Sequence, residues 1–294
     1  MKNGILNVLK PTGMSSHDII GQIRRIYSMK KVGHAGTLDP LAAGVLPVYL
    51  GQATRLIEYG GNEIKTYHVE FLFGLATDTE DITGTVVAQG KIPNMDAPML
   101  MTWLQERFVG DMEQRPSQYS AVNINGVKAY KLARQHQEFT LPSRRVTIFE
   151  IRLLQYHRGR GCIAVTCSKG TYMRSLVRDI GESLGTCAVM SYLVRVKAGL
   201  FDIDDAITLE TLEKDPLRYI LPSDMGIQHM TRINLPLEEC QFLLQGRAVP
   251  FAGRNFEEGV PLRIYGPGEI LVGIGCFNKE HHIIRPHKMF TGVL

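Results

Sequence analysis

Two apolar periods coexist in this chain, and a sequence that carries both must form a sheet and cover it with helices. In KTYHVEFLFG, which starts at Lys65, the residues Tyr67, Val69, Phe71 and Phe73 fall at every second position. That alternation predicts a half-buried strand. In TYMRSLVRDIGESLGT, Met173, Leu176, Val177, Ile180 and Leu184 recur at helical spacing, and Gly185 stands where a C-cap is expected.

The same signals organise the rest. ILNVLKPTGMSSHDIIGQIRRIYS reads as a strand, a turn at Pro11-Thr12-Gly13, and a helix capped by Ser15 or Ser16 that buries Ile19, Ile20, Ile23, Ile26 and Tyr27. Regular structure resumes from Gly44 to Leu50, and Thr54 to Tyr59 continues as helix. Ala97 to Val109 is helical, with Met101, Leu104 and Phe108 inward. Arg145 to Leu154 and Cys162 to Ser168 read as two strands joined by the basic turn from His157 to Gly161. DTEDITGTVV is a polar turn feeding a strand, and RPSQYSAVNINGVKAYKLARQ is turn-rich, then helical. Around 222–232 the pattern thins, and the tail shows short strand-like runs between glycine turns, enough for a β-rich domain of about 60–70 residues. The expectation is α+β: a mixed sheet with flanking helices over residues 1–228, and a small β-rich domain over 229–294.

Composition serves mainly to exclude. With 44% hydrophobic residues in 294, the chain can bury a real core, and collagen, coiled coil and disorder are ruled out. No window approaches the roughly 18 consecutive apolar residues of a membrane span, and the start has no apolar signal core, so a cytoplasmic protein is expected. Five cysteines without a C-x-x-C pair predict free, mostly buried thiols. The net charge of +4 hides segregation. Residues 1–35 carry six Lys/Arg against one acid, residues 107–174 carry twelve against four, and the remainder sums to −9. Such segregation fits either a basic face for a polyanion or solvated charges that never converge.

The run Gly33-His34-Ala35-Gly36-Thr37-Leu38-Asp39-Pro40 holds one carboxylate between apolar neighbours on a glycine-rich loop. By itself an Asp-Pro pair reads as a turn cap or as a fixed acid. The longer run GHAGTLDPLAAGVLPV resembles the catalytic-loop motif of the bacterial tRNA pseudouridine-55 synthases, the TruB family. LNVLKPTGMSSHD, with Lys10 and Pro11, is similar to that family's lysine-proline motif. KTYHVEFLFG, SKGTYMRSLVRDIGESLG and YLVRVKAGLF follow in the family's order, and the likeness covers residues 3–201. The tail is similar to the RNA-binding PUA domain. Ser117 and Asn123 stand where the family often has proline and lysine; Tyr119-Ser120-Ala121, Gly126 and Tyr130 follow its pattern.

The resemblance implies a pseudouridine-synthase fold, a largely antiparallel sheet with flanking helices, and isomerisation of uridine 55 in the T arm of tRNA. It implies Asp39 as the essential carboxylate, Arg174 as the cation that pairs with it and keeps it charged, and Tyr67 as the ring that stacks on the target base. His34 would occupy the space that flipped bases leave, and Tyr172 and Leu193 would wall the uracil pocket. Lys10, Arg144, Arg145, Arg158 and Arg160 are candidates for phosphate contact, the first three carried as substrate-binding residues. Asp39 could attack ribose C1′, add to uracil C6 or take the C2′ proton. The isomerisation needs no energy source or redox change. The chain offers no G-x-x-x-x-G-K-[ST] loop and no metal-ligand cluster, so no cofactor and no metal are expected. The expected partner is tRNA alone, bound by a monomer without a protein partner or a membrane. Two rivals are a guide-RNA-dependent relative, which would carry partner-binding extensions, and a non-catalytic tRNA-binding protein, which would have no use for Asp39, Tyr67 and Arg174 together.

Overall fold

The computed structural model describes residues 2–60, 64–120, 122–124, 126–135, 137, 139–253 and 256–293. In chain order the first elements are β1 (Gly4–Lys10), α1 (Ser16–Tyr27), β2 (Val32–His34), β3 (Ala43–Leu50), β4 (Lys65–Phe73), β5 (Leu75–Thr77) and β6 (Val86–Gln89). There follow α2 (Ala97–Phe108), β7 (Gly110–Gln114), β8 (Asn123–Ile124), β9 (Val127–Lys128), α3 (Ala129–Arg134), β10 (Arg144–His157), β11 (Arg160–Cys167), α4 (Met173–Ser183), β12 (Ala188–Ala198), β13 (Phe201–Asp202) and α5 (Leu209–Lys214). The last are β14 (Arg232–Asn234), α6 (Leu237–Leu244), β15 (Val249–Pro250), β16 (Pro261–Gly266), β17 (Ile270–Asn278) and β18 (Ile283–Met289).

The main sheet runs β1-β3-β12-β4-β11-β10-β7, with β2 and β13 attached at β3 and β12. All its pairs are antiparallel except β12 with β3, which joins Val194 to Ala43 and Arg195 to Gly44. Gly44 makes that approach possible. Its φ is +109°, and a Cβ there would lie 2.2 Å from the carbonyl oxygen of Arg195. The second sheet, β14-β16-β17-β18-β15, is small and carries its own core around Leu262, Ile264, Val272 and Phe277.

Helices cover the sheet as their periodicity demands. Ser15 caps α1 in a full capping box with Asp18, and Ile19, Ile20, Ile23 and Tyr27 are buried against Leu6, Val8, Leu46 and Val48. In α4, Met173, Leu176, Val177 and Ile180 are buried with Tyr67, Val69, Phe71 and Phe73 of β4, and Gly185 takes a positive φ of 69° just beyond the helix end. In α2 the buried stripe is Leu100, Leu104 and Phe108, four residues apart; Met101 sits beside it and its sulfur meets the amide of Leu153.

Several expectations shift. Thr54 to Tyr59 belongs to a 3-10 helix that begins at Gly51. The basic turn is tighter than expected, because His157 already pairs with Arg160 and leaves a two-residue loop. Arg158 and Gly159 both take positive φ, 48° and 81°, which matches the right-handed twist of the hairpin strands. All five cysteines are free, but only Cys167 and Cys240 are buried; Cys162, Cys187 and Cys276 are half-buried. Among the described residues no helix is long and apolar enough to cross a membrane.

Candidate active site

The ends of β4 and β12 form the floor of a cleft of about 250 Å³. Tyr67 lies opposite Arg195 in the register, and Leu193 stands two residues from Arg195 on the same face. Lys65 stands two residues before Tyr67 on that face as well. The loop from Gly36 to Asp39 makes one wall, and Tyr172 to Arg174 at the start of α4 make another.

The Asp39 loop is fixed from both sides. The Ser16 hydroxyl, buried at the start of α1, donates to the Leu38 carbonyl at 2.9 Å and accepts from the Leu38 amide at 2.9 Å. Leu38 itself is 3% exposed. On the far side the Gly13 amide donates to the Pro40 carbonyl, and the Ala42 amide donates to the Asp39 carbonyl. Arg195 holds the loop's two ends. Its Nε donates to the Val45 carbonyl at 2.7 Å and its Nη2 to the Gly36 carbonyl at 3.0 Å.

Arg174 reaches the same point from α4. Its Nη2 lies 2.8 Å from Asp39 Oδ2, and its Nη1 lies 3.7 Å from Asp81 Oδ2. It also donates to the carbonyls of Thr79 at 3.0 Å and Tyr119 at 3.1 Å. A cation that is 7% exposed needs such partners, since burial removes its water. Asp39, by contrast, keeps 40% of its side chain exposed and is open to the cleft. The start of α4 has no side-chain cap; instead Gln114 brackets Tyr172, accepting from its amide at 2.8 Å and donating to its carbonyl at 3.1 Å.

Asp39, Tyr67, Tyr172, Arg174 and Leu193 thus converge on one cleft. Burial raises the pKa of the Tyr67 phenol, against the charge and hydrogen bond of the Arg195 guanidinium, so the ring stays neutral. His34 is near but separate. It sits on β2, half-buried, with its ring edge-on to His17 at 6.0 Å. Burial, His17 and Arg195 lower its pKa to about 4, so it is uncharged at neutral pH, and its buried Nδ1 has no hydrogen-bond partner. Among the described residues no group of three or more His, Cys, Asp or Glu side chains is placed to hold a metal ion.

The basic candidates divide. Arg144 lies at the rim, its guanidinium 5.0 Å above the Tyr172 ring. Arg145 is exposed and paired with Asp111 at 2.6 Å. Arg158 and Arg160 occupy the other end of the β10–β11 hairpin. Seven residues separate Arg160 from Cys167, about 23 Å along a strand. Lys10 departs from expectation outright. It is 0% exposed, and its ammonium donates to the carbonyls of Pro11 and Met14, closing the turn whose Gly13 amide holds Pro40. Burial lowers its pKa to about 8 despite the nearby Asp39. Lys10 therefore shapes the Asp39 loop from inside and cannot meet a phosphate at the surface.

Sequence reasoning missed Lys65, Arg195, Ser120 and Asp81. The signal for the first two was present: each stands two residues from a residue already chosen, and strand alternation puts both on the cleft face. Asp81 lay in the polar turn DTEDITG, where Thr79 and Thr83 both hydrogen-bond its carboxylate. Of the Tyr119-Ser120-Ala121 run, Ser120 lines the cleft, and Ala121 lies outside the described residues.

Comparison with known families fits this geometry. The family model described as "TruB family pseudouridylate synthase (N terminal domain)" matches residues 24–173, a little over half of the chain. The chain belongs to the TruB family of pseudouridylate synthases. Two further TruB models follow: a "tRNA pseudouridylate synthase B C-terminal domain" over 174–239 and "Pseudouridine synthase II TruB, C-terminal" over 231–290. Among TruB relatives, the "tRNA pseudouridine synthase B" of Heliobacterium mobile is 39% identical over 97% of this chain and 94% of that protein. The protein of the same name from Moorella thermoacetica is 41% identical over 98% and 99%. The solved structure "H/ACA RNP bound to a substrate RNA containing 2'-deoxyuridine" aligns with a TM-score of 0.74 at 22% identity, covering 98% of this chain and 85% of that one. A second, titled "Cbf5-Nop10-Gar1 Complex", aligns at 0.73 and 24%, with 98% and 85% covered. Both show the TruB fold: a mixed, largely antiparallel sheet with helices and a β-rich C-terminal part.

Proposed function

We propose that this protein isomerises uridine 55 in the T arm of tRNA to pseudouridine, with Asp39 as the essential carboxylate. One observation carries the reading: a partly exposed Asp39 held at 2.8 Å by a buried Arg174, in a cleft floored by Tyr67 and Leu193. The names of the relatives supply tRNA as the substrate.

Forming pseudouridine breaks the bond from C1′ to N1, turns the base and joins C1′ to C5. Asp39 acts on C1′, on the C2′ proton or on C6, and each route needs an acid fixed in position and already ionised. Arg174 orients it with a charge-assisted hydrogen bond. Tyr67, neutral and buried in the floor, stacks on the extruded uracil, and Leu193 and Tyr172 close its sides. Flipping the base costs a few kcal/mol of stacking. The uncharged His34, with an unpaired Nδ1, fits a role in offsetting that cost by entering the vacated space. Arg144 at the rim suits a phosphate contact. Residues 229–294 act as a PUA-like RNA-binding domain beside a catalytic part over 1–228, and the chain works alone as a monomer.

The test is release of tritium from tRNA labelled at uracil C5, with purified protein and no metal or nucleotide. Release is expected from wild type and from none of the tRNA whose position 55 is cytidine. Asp39→Asn should bind tRNA within a few-fold of wild type and release nothing. An Asp39→Asn protein as active as wild type would sink the reading.

A further inference from the structure

Two arginines on α4 grip the same two segments of chain. Positions 174 and 178 share one helix face, about 6 Å apart along the axis. The first segment is the turn from Thr79 to Asp81, and the second runs from Arg115 to Tyr119, just beyond β7. Arg174 donates to the Thr79 carbonyl at 3.0 Å and to the Tyr119 carbonyl at 3.1 Å. Arg178 takes the other anchor of each segment: its Nη1 pairs with the Glu80 carboxylate, and its Nη2 donates to the Arg115 carbonyl at 2.9 Å. Its Nε and Nη2 also donate to Asp179 Oδ1, at 2.9 Å and 2.7 Å. Arg178 and Glu80 keep only 15% and 16% of their side chains exposed, so water weakens the pair little.

The second segment depends on such anchors. The ladder between β7 and β10 ends at Gln114, so side chains must meet the carbonyls that follow. Pro116 and Ser117 are buried, and the Ser117 hydroxyl accepts from the Tyr119 amide at 3.3 Å. Ser120 comes next and lines the cleft with Asp39. In the first segment, the Ser175 hydroxyl donates to Glu80 at 3.4 Å, which ties that turn to α4 directly beside Arg174.

We propose that Arg178 is a positioning residue for the reaction: by holding Glu80 and the Arg115 carbonyl, it places the two carbonyls that aim Arg174 at Asp39. The inference rests on the proposed function and deepens it. A guanidinium is flat, and its N–H groups leave in fixed directions. In Arg174 a single nitrogen, Nη2, serves both Asp39 Oδ2 at 2.8 Å and the Tyr119 carbonyl. Displacing that carbonyl turns the nitrogen off the carboxylate, and displacing the Thr79 carbonyl swings the whole plane. Arg178 itself opens onto a second cavity, of about 430 Å³, with Glu80, Arg115 and Gln118, whereas Arg174 lines the Asp39 cleft. Its effect on the chemistry therefore passes through Arg174. A reacting group misplaced by about 1 Å costs as much as about 100-fold in rate. Affinity for tRNA, which is spread over many phosphate contacts, is left nearly intact.

The test uses the full chain and single-turnover pseudouridine formation at saturating tRNA, well below the melting midpoint of each protein. Arg178→Met should be slowed about 100-fold and Glu80→Ala about tenfold, each with tRNA affinity within about threefold of wild type. Arg178→Lys supplies the readout that a purely structural role would not move. Its ammonium keeps the charge beside Glu80 and Asp179, but one nitrogen cannot span both carboxylates and the Arg115 carbonyl. This variant should melt within a few degrees of wild type and still react about tenfold slower. If Arg178→Met fails to fold, Glu80→Ala and Arg178→Lys carry the comparison. A wild-type rate in the folded variants would overturn the proposal. So would a loss confined to tRNA affinity, or a lysine variant that regains its rate together with its melting temperature. Asp39→Asn is inactive in the same assay if the proposed function is right, so that reading fails separately from this one.

Discussion

Arg174 faces two carboxylates at once, and substitution separates what it does for each. Its guanidinium answers Asp81, which is buried, and Asp39, which is not. Arg174→Met leaves Asp81 without its cation and should lower the unfolding free energy by about 3–5 kcal/mol. Asp39→Asn should cost under about 1 kcal/mol, because its carboxylate is partly hydrated in the native state. Urea melts of both proteins measure the contrast, and similar losses would refute this division of roles. His34 yields a pH dependence. Its folded pKa is about 4, against an ordinary 6.5, so between these values the unfolded chain binds the extra proton. Stability should therefore fall as pH drops from 6.5 toward 4 and be unaffected by this group above 6.5. The melting temperature of His34→Gln should decline less steeply over that window, and parallel curves would exclude the effect. At this scale the sequence was informative where a motif was long: Asp39, Tyr67, Tyr172, Arg174 and Leu193 share the cleft. It misled at Lys10, because a lysine's charge says nothing about which side of a turn its stem takes.

Elements were legible where the periodicity was strong and their partners were local. α1 and α4 follow from apolar spacing and caps, and β10 with β11 follows from the basic Gly-containing turn between two strand-like runs, although that turn proved shorter than read. Pairing across long distances was not legible, since the apolar residues of β3 and β12 are equally compatible with either neighbour and either direction. The parallel β3–β12 contact is the case in point. It depends on Gly44, whose missing side chain admits the Arg195 backbone. Gly44→Ala combines a backbone clash with a positive φ, and we expect a loss above about 4 kcal/mol or failure to fold. Gly13→Ala, with a positive φ but open space around it, should cost only about 1 kcal/mol. Equal melting behaviour of the two would show that strand approach does not matter.

The whole molecule is joined by a core that belongs to both sheets. Ile274 and Phe290 from the C-terminal part pack with Ile5, Val45, Tyr49 and Phe201. Gln52 exchanges two 2.8 Å hydrogen bonds with the backbone of Thr291. Phe290→Ala should cost about 3–5 kcal/mol, and calorimetry should still show one transition. A split into two transitions would mean that the shared core is not what couples the parts. Charge behaves differently from its count along the chain. Lys10 and Arg174 are buried, Arg145 is tied to Asp111, and Arg160 lies far along its strand, so these four members of the basic segments do not add free charge at the cleft. Affinity for tRNA should still fall steeply between about 50 and 200 mM salt. Arg144→Ala should reduce the log–log slope by about one, and Arg158→Ala should leave it unchanged; the reverse would relocate the RNA surface.

The clamp that Arg195 places on the Asp39 loop has a consequence for how the protein is made. Arg195 lies 159 positions after Gly36 and 150 after Val45, whose carbonyls it binds. At about 5–20 residues per second, a ribosome takes roughly 8–32 s to supply it. During that time the loop emerges, and Arg174 joins it only late. The nascent chain can build α1 on the β1–β3 pair early, but the Asp39 cleft stays incomplete until nearly two-thirds of the polypeptide exists. The cleft is therefore closed in one late step, after the greater part of the chain has been made.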